Sequence, residues 1–214
     1  QNKRVFYNIL FRATSQTLLT LAKDPKHLGA DIGFFAVLHT WGQNLLDHPH
    51  LHCVVPAGGL SEDHQRWIAC KKNFFLPVRV LSRLFRRLFL FHLKAAFEKG
   101  DLSFHGSLTH LCAPETFARL LAEARGCDWV VYAKPPFGGP EHVLRYLARY
   151  TNKVALGNDR LLNIENGKVT FSWKDYRTGN QLKSMTLEAS EFIRRFLLHV
   201  LPNSFVRIRH FGLL

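Results

Sequence analysis

Apolar positions recur at intervals of three and four residues in several segments of the chain, and this spacing predicts amphipathic helices. The first segment covers residues 3–23 and is followed by Asp24 and Pro25, which are expected to end a helix. The other predicted helices cover residues 77–98, 114–125, 141–153 and 189–201.

Short apolar runs bounded by glycine, proline or asparagine predict strands between these helices. A hairpin is predicted where residues 32–41 form one strand, residues 44–49 turn the chain, and a second strand ends at Pro56. Further predicted strands cover residues 67–70, 129–133, 161–164, 169–173, 184–187 and 205–208. Because helices and strands are mixed and tight turns join most neighbouring strands, the pattern predicts an α+β fold with an antiparallel sheet flanked by helices.

The composition and charge of the chain indicate a folded protein with a polyanionic partner. Its 214 residues are 47% hydrophobic, which suits a single domain over residues 1–214. The 29 Lys and Arg exceed the 16 Asp and Glu, and the net charge of +13 favours nucleic acid before an anionic membrane surface. Charged side chains interrupt the most apolar segment, residues 84–98, so no membrane span is predicted. Four scattered cysteines without a C-x-x-C pair fit a reducing, cytoplasmic compartment.

The second hairpin strand carries two histidines two residues apart. Side chains along a strand alternate between its faces, so His50 and His52 are expected to point the same way. Leu51, Cys53 and Val55 are expected to point the other way. Two imidazoles on one face of a core strand indicate a divalent metal site. The alternative is a structural pair, with one ring bonded to a backbone carbonyl and the other facing water.

The predicted helix over residues 141–153 carries two tyrosines at positions i and i+4. Tyr146 and Tyr150 lie on the border between the apolar side of this helix and the side that carries Arg145 and Arg149. A phenolic oxygen on that border can reach a polar site, although two tyrosines at the edge of the core are the alternative. Together with a metal ion that polarises a phosphate, a tyrosine can attack a phosphodiester and form a covalent phosphotyrosine.

Six longer segments of the chain, in order, resemble the two-tyrosine transposases of the IS91 and common-region (ISCR) family, which are histidine-hydrophobe-histidine (HUH) single-strand endonucleases. They include HPHLHCVVP and YLARYT, and they cover residues 38–45, 48–56, 132–139, 146–151, 171–177 and 207–212. The resemblance implies an HUH-endonuclease-like central antiparallel sheet flanked by helices. It also implies metal-dependent nicking and strand transfer by rolling-circle-type transposition, with Tyr146 and Tyr150 as nucleophiles and His50 and His52 as metal ligands.

The resemblance further implies single-stranded DNA at the transposon ends and target as the partner, no small-molecule substrate, and a bacterial, nucleoid-associated location. Members of the family usually carry a cysteine-rich zinc-binding region ahead of the position where this chain begins. The chain opens at Gln1 without a methionine, so we expect it to be part of a longer protein. Two positions at which the family often has histidine hold Asp47 and Asn152 here. The alternative functions are a catalytically inactive DNA-binding relic, a replication-initiator-like binding module and, from the charge alone, an RNA-binding accessory protein.

The resemblance implies a third metal ligand, which can be histidine, glutamine, glutamate or aspartate. Gln43 is the first candidate because it lies near the end of the partner strand and its amide oxygen suits Mg²⁺ or Mn²⁺. His39 is expected to lie on the same face of the predicted strand as Gln43 and is the second candidate, followed by Asp47 and His48 in the predicted turn. The alternative for Gln43 is an amide that caps the turn.

Several basic residues are candidates for DNA contacts. Lys134 directly follows a predicted strand and precedes a Pro-Pro-Phe-Gly-Gly loop. Arg145, Arg149 and Lys153 lie on the tyrosine helix. The helix over residues 77–98 has a basic side that is suited to a DNA backbone, formed by Arg79, Arg83, Arg86 and Arg87. For each of these residues the alternative is a solvated surface charge.

Overall fold

The structure, a computed structural model of the chain, describes residues 1–136, 138–151 and 155–213, with only the backbone described for residues 140, 147, 149–151 and 177. Helices and short antiparallel strands are mixed along the described residues, which confirms the predicted α+β class. No helix among the described residues is long and apolar enough to cross a membrane.

The helices match the predicted segments closely. They are α1 (Lys3–Lys23), α2 (Val78–Glu98), α3 (Pro114–Gly126), α4 (Pro140–Thr151) and α5 (Ala189–Leu197). The last helix ends four residues earlier than predicted, and the backbone N–H of Leu198 bonds to the carbonyl oxygen of Arg194 as it closes. Pro202 disfavours helical geometry in Leu201, the residue before it, so the helix is not expected to continue through Leu201.

The strands form three small sheets. They are β1 (Gly33–Trp41), β2 (Asp47–Val54), β3 (Gly58–Leu60), β4 (Trp67–Ala69), β5 (Leu161–Glu165), β6 (Lys168–Asp175), β7 (Gln181–Glu188) and β8 (Ile208–Gly212). One sheet has the order β2-β1-β8, the second pairs β3 with β4, and the third has the order β5-β6-β7. The predicted last strand at residues 205–208 was placed too early, since β8 begins only at Ile208.

The hairpin that carries the histidines turns earlier than predicted. Its turn occupies residues 42–46, so Pro49 lies inside β2. Proline has no N–H to donate to a neighbouring strand, and β2 is an edge strand of its sheet, where that loss is tolerated. As a consequence Gln43 belongs to the turn and not to the face of a strand.

The predicted strand at residues 129–133 is wrong. The described residues there have no regular secondary structure, and Val130 and Tyr132 are 91% and 77% exposed. The carbonyl oxygen of Trp129 accepts a hydrogen bond from Ser82 Oγ of α2 at 2.5 Å and not from a strand. Aromatic and β-branched residues favour a strand only when a neighbouring strand and a packing surface are present.

The chain divides into two compact units. The first comprises Gln1–Ala36, Cys53–Phe137 and Ile208–Leu214, and the second comprises Val37–His52 and Gly138–Arg207. The first unit contains most of the helices, and the second contains the β5-β6-β7 sheet with α4 and α5. That the whole chain folds as one domain stays a prediction.

The second unit has its own core, which holds the turn of the hairpin. The buried residues Leu45, Leu156 and Phe171 pack together there, with Leu45 and Phe171 fully buried. Arg160 donates from Nη2 to the carbonyl oxygen of Gln43 at 2.5 Å and from Nε to that of Ser172 at 2.8 Å. These bonds join the turn to β6 and fix the end of β1 from which the site is built.

A buried histidine of the second unit also anchors the hairpin. His199 donates from Nε2 to the carbonyl oxygen of Leu45 at 3.1 Å. Its Nδ1 then carries a lone pair and lies 3.4 Å from Thr40 Oγ1, which can donate to it. Because a carbonyl and a hydroxyl satisfy both ring nitrogens, His199 has a structural role in holding β1 and its turn.

Candidate functional site

The two histidines of β2 face the same way, as the strand alternation predicted. Their Nε2 atoms lie 3.0 Å apart and their ring centroids 4.8 Å apart. On the opposite face, burial raises the pKa of the Cys53 thiol to about 12, so this sulfur stays protonated at neutral pH. The chemistry of the strand is therefore confined to its histidine face.

A backbone contact fixes the tautomer of His50. Its Nδ1 lies 2.7 Å from the carbonyl oxygen of His48, and since a carbonyl can only accept, the ring donates from Nδ1–H. The Nε2 atom of neutral His50 then carries a lone pair. Burial lowers the pKa of His50, and the charge of His48 adds to this, while the hydrogen bond to the His48 carbonyl opposes it. The net effect favours the neutral ring, which is the form that binds a metal ion.

A third histidine joins the pair from the neighbouring strand. His39 of β1 is buried, and its ring lies 4.6 Å from that of His52 and 5.5 Å from that of His50. Ligand atoms of His39, His50 and His52 all lie within 4.8 Å of one another. Trp41 stacks on His39 with a centroid distance of 4.8 Å and restricts the orientation of its ring. The three imidazoles thus form a cluster that can hold a metal ion. His39, the second candidate for the third ligand, is part of this cluster.

Gln43, the first candidate for the third ligand, has different neighbours. Its side-chain Nε2 donates to Tyr176 Oη at 3.2 Å, and its backbone carbonyl accepts from Arg160. Asp47 and His48 are exposed at the start of β2, and the His48 ring lies 4.9 Å from that of His50. A metal-binding role for Gln43 stays a prediction. The signal for His39 in the sequence was its position four residues before Gln43, which predicts that both side chains lie on the same face of the strand.

One tyrosine of α4 reaches the histidine cluster. Tyr146 Oη lies 2.8 Å from Nδ1 of His52, and the two rings have a centroid distance of 6.1 Å. Tyr146 is half-buried, which fits its predicted position at the border of the helix. The side chain of Tyr150, the second tyrosine, lies outside the described part of the chain.

The predicted DNA contacts are spread over both units. Arg145 is exposed on α4 in the second unit, and Lys134 is exposed in the irregular segment of the first unit. The side chain of Arg149 and the whole of Lys153 lie outside the described residues. Their roles in DNA binding remain predictions.

The donor set fits a divalent ion. Two nitrogens that are each about 2.1 Å from one ion and subtend a right angle are about 3.0 Å apart, which is the distance between the Nε2 atoms of His50 and His52. The backbone bond that orients His50 is of the kind that commonly orients metal-binding histidines through their second nitrogen. With Tyr146 hydrogen-bonded to His52, a phenolic oxygen lies next to a group of imidazoles that can hold a metal ion.

Comparisons with known proteins identify the family. A family model described as "Putative transposase" (Y2_Tnp) matches residues 33–214. The chain is 64% identical over 214 residues to "Putative transposase y4qJ" of Sinorhizobium fredii (strain NBRC 101917 / NGR234), with 100% of this chain and 54% of the relative covered. It is 30% identical over 215 residues to "Transposase for insertion sequence element IS801" of Pseudomonas savastanoi pv. phaseolicola, with 98% and 50% covered.

The family model matches most of the chain, and both relatives carry the name of a transposase. The chain belongs to the Y2_Tnp family of transposases, which confirms the resemblance drawn from the sequence motifs. It spans about half the length of the curated relatives it matches. The comparison with solved structures gave no significant match.

Proposed function

We propose that this chain carries the DNA-cleaving centre of a transposase, which nicks single-stranded DNA with a divalent metal ion and transfers strands through phosphotyrosine intermediates. The proposal rests on one observation, the contact of 2.8 Å between Tyr146 Oη and a histidine whose other ring nitrogen faces His50. The substrate is the single-stranded DNA of transposon ends and target, and the mechanism is rolling-circle transposition in the bacterial cytoplasm.

His39, His50 and His52 are the residues that would hold the ion. Of the two ions predicted, Mn²⁺ suits three imidazoles better than Mg²⁺, which prefers oxygen ligands. When bound, the ion acts as a Lewis acid toward a phosphate oxygen of the substrate. The stacking of Trp41 on His39 and the backbone bond of His50 support the idea that these rings are oriented in advance.

His52 would connect the metal site to the nucleophile. When its Nε2 serves as a ligand, the proton of the neutral ring must be on Nδ1, the atom that faces Tyr146. His52 then donates to Tyr146 Oη, which holds the phenolic oxygen in place. A hydrogen bond donated to the charged form stabilises it, so this contact favours the phenolate that attacks phosphorus.

The proposed chemistry conserves phosphate ester bonds. Tyr146 Oη forms a bond to phosphorus, and the bond from phosphorus to the 3′ oxygen of the preceding nucleotide breaks. The 3′ oxygen leaves as a hydroxyl, so that overall the tyrosine proton ends on it. The 5′-phosphotyrosine retains the bond energy for rejoining, and Tyr150 is proposed to act on the second strand. Lys134, Arg145, Arg149 and Lys153 are proposed to bind phosphates along the strand.

Covalent capture of DNA tests this function. The chain is incubated with labelled single-stranded oligonucleotides that tile both sides of its gene, with Mn²⁺ or with EDTA, and covalent adducts are resolved on denaturing gels. We expect an adduct that forms with Mn²⁺ and is absent with EDTA. If the oligonucleotides bind in equilibrium assays but no adduct forms with Mn²⁺, the chain is a DNA-binding module and the proposed chemistry is wrong.

A further inference from the structure

The acidic and basic residues of the first unit are unevenly distributed. Between Asp63 and Glu98 the chain has eight Lys and Arg and not one Asp or Glu. This stretch includes almost all of α2, which begins at Val78. A solvated protein surface usually intersperses both signs of charge, so a long stretch of one sign indicates an anionic partner.

The cations of α2 are aligned along one side of the helix. Arg79, Arg83 and Arg87 are all exposed and are spaced four residues apart, so successive residues lie about 6 Å apart along the helix axis. Phe91 continues the same line and is 64% exposed. We call these four residues the arginine stripe.

The arginine stripe has no acidic neighbours in the described part of the chain. No carboxylate there lies within 4.0 Å of Arg79, Arg83 or Arg87. The other cations of the helix are engaged, since Arg86 donates to the carbonyl oxygen of Cys127 at 2.9 Å and Lys94 pairs with Glu98. Like charges four residues apart destabilise a helix, and a bound polyanion removes that repulsion.

The opposite side of α2 keeps the helix in place. Leu81, Phe89 and Leu90 are buried, and the Phe89 ring packs edge-on against Phe6 of α1 with a centroid distance of 5.0 Å. His92 is also buried and bonds through Nε2 to Gln16 Oε1 at 2.6 Å. The arginine stripe therefore lies on a helix that its own unit holds, and ligand binding need not order the backbone first.

We propose that the arginine stripe is a second DNA-binding surface, separate from the histidine–tyrosine site, that binds one strand through its phosphates and stacks a base on Phe91. Guanidinium groups bind phosphate in a bidentate manner, and an exposed aromatic ring among cations is the usual arrangement for an unpaired strand. The choice of DNA as the polyanion rests on the proposed function. The surface provides affinity without reading sequence, because phosphates are the same in every strand.

Salt-dependent binding tests the phosphate contacts. In the variant Arg79→Ala/Arg83→Ala/Arg87→Ala, affinity for a single-stranded oligonucleotide at 0.1 M salt should fall about 100-fold. The slope of log K against log salt should become shallower by about 2, since each phosphate contact on a single strand contributes about 0.7. Thermal unfolding of the variant should be unchanged or raised, because exposed like charges are removed.

The matched control removes three cations of the same unit outside the stripe. Lys26, Arg119 and Arg125 are exposed, and the variant Lys26→Ala/Arg119→Ala/Arg125→Ala loses the same net charge. Its affinity should fall much less. If control and stripe variants lose equal affinity, or if the stripe variant binds as the wild type does, the arginine stripe is not a binding surface.

A second pair of variants tests the stacking contact. Phe91→Ala should lower single-strand affinity about fivefold or more and leave duplex affinity unchanged, while Phe91→Trp should retain binding. An equal loss on both kinds of DNA contradicts stacking. An anionic membrane is the competing partner, and it is supported instead if the triple variant loses binding to phosphatidylserine vesicles while its DNA affinity is unchanged.

The two proposals fail in different ways. The arginine stripe is tested by equilibrium binding, whereas the DNA-cleaving centre is tested by a metal-dependent covalent adduct. If the wild type forms no adduct and the stripe variant still loses affinity, only the chemistry is wrong. If the adduct forms and the stripe variant binds as the wild type does, only the stripe is wrong. At saturating oligonucleotide the stripe variant should form adduct at the wild-type rate.

Discussion

The two units of this transposase-family chain differ in their net charge and in the candidate site residues that they contain. The first unit has 18 Lys and Arg against nine Asp and Glu, and the second has 11 against seven, so the first carries most of the net charge of +13. The second unit holds the cluster of His39, His50 and His52 with Tyr146. Most of the positive charge thus resides in the unit that lacks the histidine cluster and Tyr146.

Several arginines of the second unit differ from those of the arginine stripe in what they contact. In the second unit Arg160 bonds to two backbone carbonyls, and Arg194 and Arg195 both bond to Glu191. The hydrogen bonds from Arg194 and Arg195 lower the pKa of Glu191 to about 2. In the first unit, no carboxylate of the described residues lies within 4.0 Å of Arg83 or Arg87 of the arginine stripe. These arginines of the second unit bond to their own protein, whereas those of the stripe are available to a ligand.

Replacing Tyr146, the proposed nucleophile, should have the largest effect. In Tyr146→Phe the attacking oxygen is lost, so formation of the covalent adduct should fall at least about 1,000-fold. Equilibrium binding of single-stranded DNA should remain within about twofold of the wild type, because affinity depends mainly on phosphate contacts. Adduct formation is measured on denaturing gels and binding by fluorescence anisotropy.

Two matched variants decide whether the effect is specific. Tyr132 is 77% exposed in the first unit, and Tyr132→Phe should leave adduct formation unchanged. In the double variant Tyr146→Phe/Tyr150→Phe no adduct should remain. An adduct that persists in the double variant would show that another residue is the nucleophile.

Removing a proposed metal ligand should have the next largest effect, and this effect should be confined to the second unit. His39→Ala removes one of three imidazoles and should weaken Mn²⁺ binding about 100-fold, since first ligands contribute more than the 10–100-fold of their outer partners. Gln43→Ala should change Mn²⁺ binding by less than about threefold, because its amide bonds to Tyr176. Titration calorimetry with Mn²⁺ measures both. A larger loss in Gln43→Ala than in His39→Ala would restore Gln43 as the third ligand.

Local pattern was enough to predict the long helices and the facing histidines. The spacing of apolar residues placed α1 and α2 to within a residue, because each has a continuous apolar side that must be buried. The alternation of β2 placed His50 and His52 on one face, because that geometry belongs to any strand.

Features that depend on contacts between residues distant in the sequence could not be predicted from the local pattern. Residues 129–133 have high strand propensity, but a strand also requires a neighbour, and sequence periodicity does not supply one. Gln43 was preferred on the assumption that it continued the strand, whereas the chain already turns at Gly42. A shift of the turn by two residues moved the side chain away from the strand face and left His39 as the neighbour of the histidine pair.

The smallest predicted effect concerns two histidines with lowered pKa values, one in each unit. Burial lowers the pKa of His50 and of His92, with Arg12 adding to the effect at His92. Both should therefore titrate below 6.5 in NMR spectra of the metal-free protein. Because the unfolded chain binds protons first as the pH falls, stability should decrease gradually below about pH 6.5 and be unaffected by these groups above it.

The effect of paramagnetic Mn²⁺ on the NMR signals distinguishes the two histidines. The signals of His50 should broaden at low Mn²⁺ concentrations, because its Nε2 faces His52 in the histidine cluster. His92 of the first unit should not bind the ion directly, because its Nε2 is bonded to Gln16 at 2.6 Å. The broadening of His50 should disappear as the pH falls through its lowered pKa, since a protonated imidazole cannot bind a metal ion. If the signals of His50 stay sharp at Mn²⁺ concentrations that broaden other signals, the histidine cluster is not the site of the ion.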